Sequence, residues 1–89
     1  MKIKEYISQN KEKFLNELFE LLKIESVSAD PKFKNEVDKA SDFIVTKLKL
    51  LGLDNVEKIQ TKGHPIVYGE KILNPNYKTI LVYGHYDVQ

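Results

Sequence analysis

Ile80, Leu81, Val82 and Tyr83 form an uninterrupted apolar run that leads through Gly84 into His85, Tyr86 and Asp87. A run without polar alternation is the pattern of a strand covered on both faces, as in a parallel α/β sheet. We therefore expect a buried, central strand over residues 80–83. Successive side chains of extended backbone point to opposite faces, so His85 and Asp87 share one face and Tyr86 takes the other. One imidazole and one carboxylate then converge where the strand runs out, the end at which open α/β sheets bind their ligands. Gly84 removes a side chain there and leaves room for close approach of backbone or ligand.

The preceding residues supply the elements such a strand would lean on. Over residues 4–24, Ile7, Phe14, Leu15, Leu18, Leu21 and Leu22 fall on one helical stripe, and acids and bases alternate elsewhere, so the stripe reads as core packing and not as a membrane-surface helix. Residues 25–32 are a turn-rich connection. Ser26 and Ser28 read as turn and cap residues with no assigned role, and Asp30 before Pro31 suits an N-cap. A second helix is expected from 31 or 33 to 51, with Val37, Ala40, Ile44, Leu48 and Leu51 at three- and four-residue steps and Gly52 as its stop. Asp38 and Asp42, one turn apart on its wet face, read as a mildly unfavourable like-charge spacing and not as a ligand pair. Two short strands follow, at 55–61 and 65–72, joined through Lys62, Gly63 and His64. The turn Asn74, Pro75, Asn76 then separates them from the terminal run.

Composition narrows the function classes. A chain of 89 residues, 42% hydrophobic and 30% charged, is one small folded unit and only marginally stable by itself. Fourteen basic against thirteen acidic residues leave a formal charge of +1 with no stripe of one sign, which argues against nucleic acid and anionic membrane as partners. The absence of cysteine excludes disulfides, thiolate zinc sites and a cysteine nucleophile, and suits a reducing cytoplasm. The start, MKIKEYISQNKEKF, is too polar for a signal peptide, and no apolar run approaches the roughly 18 residues of a membrane span. A cytoplasmic protein is expected.

A neutral imidazole ligates zinc well when its second ring nitrogen donates to a carboxylate that fixes the tautomer, and His85 with Asp87 offers both parts locally. By spacing alone the pair is equally a surface ion pair at a strand end. His64, the other histidine, precedes a proline in a turn and reads as exposed and without a ligand role.

The string YGHYDVQ, residues 83–89, closely resembles the first metal-binding motif of the M20 zinc metallopeptidases, in the dipeptidase branch related to carnosine dipeptidase. The amphipathic first helix, the phrase IESVSADP, a second helix ending in LLGL and two short strands resemble the opening of such enzymes. The resemblance implies that His85 is a metal ligand and that Asp87 orients it and is catalytic. The implied fold is α/β: two N-terminal helices followed by three strands, the first part of a phosphorylase/hydrolase-like three-layer catalytic domain. The implied cofactor is a pair of zinc ions, with manganese or cobalt compatible with the same ligands. They would activate a water for attack on a peptide or dipeptide substrate. On this reading residues 1–89 are an incomplete catalytic domain without its lid or dimerisation domain. One histidine with an orienting carboxylate cannot close a site that needs at least three protein ligands, so these residues alone are expected to be inactive.

Two other readings fit the same residues: a stand-alone, non-catalytic α/β interaction module, and a general α/β fold whose His-x-Asp end binds some other ligand. Both need a closed core, whereas a strand apolar on both faces has only two helices here to cover it. Exposed apolar surface and an unpaired strand edge should instead make the isolated chain self-associate.

Overall fold

The computed structural model describes residues 2–89. The first helix, α1, spans Ile3–Leu22, and the Lys23 amide closes its last turn on Phe19 O at 3.0 Å. None of its residues is buried. Ile7, Phe14, Leu15, Leu18 and Leu22 are exposed, which corrects the expectation that this stripe packs into a core. The period is that of an amphipathic helix, yet among the described residues no apolar face is set against it. Of the stripe only Leu21 is half-buried, and Glu17 Oε2 lies 3.6 Å from Lys47 Nζ.

A 3-10 turn, Pro31–Phe33, begins where Asp30 Oδ1 accepts from the Lys32 amide at 3.0 Å. It leads into α2, Lys34–Leu50. Val37 and Ala40 on the inner face of α2 are the buried apolar residues, with Ser41 beside them donating back to Asp38 O at 2.6 Å. The helix stops as its sequence requires. Gly52 sits at φ 84°, its amide bonds Lys49 O at 3.0 Å, and the Leu53 amide bonds Leu48 O at 3.2 Å. These two bonds satisfy carbonyls that the helix end would leave open. A Cβ at position 52 would touch nothing within 4 Å, so substitution there carries backbone strain alone. Gly52→Ala is expected to lower stability by about 1 kcal/mol, seen as a reduced urea midpoint with an unchanged slope.

Strands β1, Asp54–Ile59, and β2, Ile66–Glu70, pair antiparallel in the register Glu57 with Tyr68, Lys58 with Val67 and Ile59 with Ile66. The register shifts between Asp54 and Glu57, where Asn55 takes a positive φ of 51°. Its side-chain amide donates to Glu70 Oε1 at 2.6 Å, and the Tyr68 hydroxyl donates to Glu70 Oε2 at 2.8 Å. Together the two donors hold the Glu70 carboxyl below its usual range. The hairpin packs on α2 through Gly69, where a Cβ would lie 3.2 Å from Leu53 and 3.3 Å from Leu48. Lys58 seals the edge of this contact, with Nζ 2.7 Å from Asp38 Oδ1 and 2.9 Å from Asp42 Oδ1. The like-charge spacing on α2 is thus a cradle for a lysine from the sheet, and hydrogen bonds first to Asp38 and then to Asp42 raise the Lys58 pKa.

The expected third strand does not form. Residues 79–83 have no ladder partner among the described residues, and Ile80 and Tyr83 are 85% and 91% exposed. The sheet has two strands, β1 and β2, and the buried central strand is corrected to an exposed irregular segment. A strand exists only as half of a hydrogen-bonded ladder, and apolar composition without a neighbour cannot supply the missing donors and acceptors. The turn before it is as expected, with the Tyr77 amide on Asn74 O at 3.0 Å. The radius of gyration, 15.1 Å, exceeds the about 12 Å of a compact chain of this length. No described helix is long and apolar enough to cross a membrane.

Candidate metal centre

Three segments meet at one end of the hairpin: the loop after α1, the β1 to β2 connection, and residues 84–88. The loop and the terminal segment are joined by backbone. Val27 and Val88 form a parallel bridge, and the Val88 amide donates to Ser26 O at 2.9 Å. The buried Ser26 hydroxyl donates to Tyr86 O at 3.2 Å. From the other side the Tyr86 phenol donates to Pro65 O at 2.6 Å, and burial pushes its pKa up, so it stays a neutral donor. Pinned at Tyr86 and Val88, the chain between and before them carries Asp87 and His85 into a cleft of about 690 Å³, lined in part by Ser28, Val37, Ile44, His64 and Pro65.

His85 and Asp87 come together as the two-residue alternation predicts. His85 Nδ1 lies 2.8 Å from Asp87 Oδ1. An ionised carboxylate only accepts, so Nδ1 carries a proton, and in the neutral imidazole the lone pair then lies on Nε2. The His85 ring is 80% exposed and the Asp87 side chain 37%. The second carboxylate oxygen is also engaged: the Ser28 hydroxyl donates to Asp87 Oδ2. The Ser28 bond first and the His85 bond second hold the Asp87 carboxyl below the usual carboxylate range. Because its folded value is depressed, these bonds stabilise the fold above the ordinary Asp value of about 3.9. That contribution is lost as the pH falls through the lowered value.

His64, expected to be exposed and idle, is half-buried and engaged. Its Nε2 lies 2.9 Å from Ser28 O, and since a carbonyl only accepts, that nitrogen is the donor. Ser26 and Ser28, given no role from the sequence, prove to be the residues that grip the motif. The one signal that could have found them is their own alternation around Val27, which in extended backbone sets two hydroxyls on one side. Gly84 does not show the close approach expected of it, because a Cβ there would meet nothing within 4 Å.

Among the described residues no three His, Cys, Asp or Glu side chains are grouped to hold a metal ion. What the described residues offer is an exposed imidazole with a carboxylate on its Nδ1. The chemistry of that donor set fits a divalent transition metal.

No family model matches the chain. It is similar to the Cys-Gly metallodipeptidase dug1 of Schizosaccharomyces pombe, at 35% identity over 99% of this chain and 20% of that protein. Against the Cys-Gly metallodipeptidase DUG1 of Candida albicans the identity is 36% over 93% of this chain and 20% of the relative. A cysteinylglycine-S-conjugate dipeptidase of Corynebacterium striatum is 30% identical over 92% of this chain and 18% of its own length. The solved structure of the di-peptidase Dug1p from Saccharomyces cerevisiae superposes with a TM-score of 0.87 at 28% identity, covering 96% of this chain and 20% of that one. The chain spans about a fifth of the length of the curated relatives it matches.

Proposed function

We propose that these 89 residues are the N-terminal portion of the catalytic domain of a metal-dependent dipeptidase. We assign it to the M20 zinc metallopeptidases, in the dipeptidase branch that the YGHYDVQ string resembles. The observation that carries the reading is the His85 Nδ1 to Asp87 Oδ1 bond of 2.8 Å, made by two residues that line the cleft, which engages one ring nitrogen and leaves Nε2 of the exposed ring for a metal. In this role His85 is a metal ligand through Nε2. Asp87 is the catalytic carboxylate behind it, holding the proton on Nδ1 and raising the basicity of the ring. A bound zinc pair, or manganese or cobalt in its place, supplies an acidified water and charge stabilisation at the carbonyl oxygen. The names of the relatives favour a small dipeptide such as Cys-Gly as substrate over a long peptide. The lack of cysteine suits the cytoplasm, where we place the enzyme.

One histidine and its orienting carboxylate do not complete a catalytic site. Residues 1–89 alone are accordingly expected to bind zinc poorly and to hydrolyse nothing. The test is an assay of Cys-Gly hydrolysis by the full-length protein carrying this segment, before and after removal of metal by a chelator and after zinc is returned. Activity that is lost with the metal and restored by zinc supports the assignment. Hydrolysis that survives complete metal removal, or a full-length protein that binds no divalent metal, sinks it.

A further inference from the structure

We propose that Ser28 is a positioning residue for the metal-ligating histidine, acting through Asp87; this deepens the reading of His85 as a ligand and rests on it. The geometry is a line of hydrogen bonds. The Ser28 hydroxyl donates to Asp87 Oδ2, and His85 Nδ1 donates to Asp87 Oδ1. A carboxylate held by one partner alone keeps rotational freedom about its terminal bond, and with it the imidazole swings. Two donors on its two oxygens fix the carboxylate plane, and the plane in turn fixes the ring whose Nε2 must meet the metal.

Ser28 is itself held. His64 Nε2 donates to Ser28 O at 2.9 Å, so the serine backbone is fastened to the β1 to β2 connection while its hydroxyl bonds Asp87. The connection is braced in its own right, with the Thr61 hydroxyl donating to His64 O at 2.8 Å and the Gly63 amide donating to Thr61 Oγ1 at 3.0 Å. The hydroxyl of Ser28 is not required merely to dock the terminal segment. That task is already carried by the Val27 to Val88 bridge, the Val88 amide on Ser26 O, the Ser26 hydroxyl on Tyr86 O and the Tyr86 phenol on Pro65 O. What Ser28 adds is the orientation of one side chain, Asp87.

The test uses the full-length protein loaded with cobalt(II), whose unpaired electrons shift the ring N–H protons of histidine ligands out of the main proton NMR envelope. The His85 Nδ1–H resonance is assigned as the one lost in His85→Ala. In Ser28→Ala we expect that resonance to move and broaden through faster exchange with water, and cobalt affinity to fall about tenfold, the low end for residues that orient a metal ligand. Ser28→Thr, which keeps the hydroxyl, restores both. Ser28→Cys, close in size with a weaker donor, falls between and keeps the test open should the alanine variant not fold. Ser26→Ala lowers stability but leaves the His85 resonance in place. An unchanged resonance and affinity in Ser28→Ala, or an equal change in Ser26→Ala, overturns the positioning role. A wild-type protein with no shifted resonance that depends on His85 overturns instead the reading of His85 as a ligand, so the two failures are distinct.

Discussion

On the proposed dipeptidase reading, replacing His85 by alanine in the full-length protein is expected to remove one bound metal ion and to lower kcat/KM on Cys-Gly by about three orders of magnitude. Losing a Lewis-acidic centre forfeits several kcal/mol of transition-state stabilisation, and each 1.36 kcal/mol is about tenfold in rate. Asp87→Asn should behave differently. The amide keeps an oxygen to accept from His85 Nδ1 but removes the negative charge that raises the ring's basicity. Activity should fall by about a hundredfold, with the metal largely retained. Elemental analysis of the purified variants, set beside kcat/KM at matched metal content, separates the two roles. Wild-type turnover in His85→Ala at full metal content would refute the assignment of His85, and equal metal loss in both variants would make Asp87 a ligand instead of an orienting group.

The second large effect concerns residues 1–89 in isolation, which are expected to self-associate. The helix α1 buries none of its residues, and Ile80, Leu81, Val82 and Tyr83 face solvent together. Both outer edges of a two-stranded hairpin also lack strand partners among the described residues. Contiguous apolar patches beyond a few hundred Å² are rare on soluble monomers, and unpaired strand edges invite pairing with another copy. The buried apolar core, Val37 and Ala40, is small beside that surface. Association through edge pairing or apolar packing should make stability depend on concentration, because anything that binds only the folded state raises its apparent stability. Light scattering should report species larger than 10.3 kDa, and the urea midpoint should rise with protein concentration. Leu81→Lys together with Phe14→Glu should weaken both effects. A monodisperse monomer with a cooperative midpoint independent of concentration would show that these residues close their own core.

Much of the local structure was legible in the residues, because its causes are local. Helix periods, the Pro31 start and the Gly52 stop depend on neighbours within a turn or two, and α1, α2 and both hairpin strands lie within a few residues of their expected bounds. The meeting of His85 with Asp87 was legible for the same reason, since a two-residue spacing in extended backbone nearly determines it. Tertiary structure alone decided what lies across the chain from each element. Ser28 reaches Asp87 over 59 positions and His64 reaches Ser28 over 36, and no local pattern encodes which hydroxyl or ring a fold will carry to a given carboxylate. Lys58 turned the Asp38 and Asp42 repulsion into a cradle in the same way. The terminal run shows the limit most clearly. Apolar composition at 80–83 records that these side chains are suited to burial, whereas a strand also needs a partner to bond its amides and carbonyls. That partner is a property of the assembled sheet, and without one the same residues stay irregular and exposed.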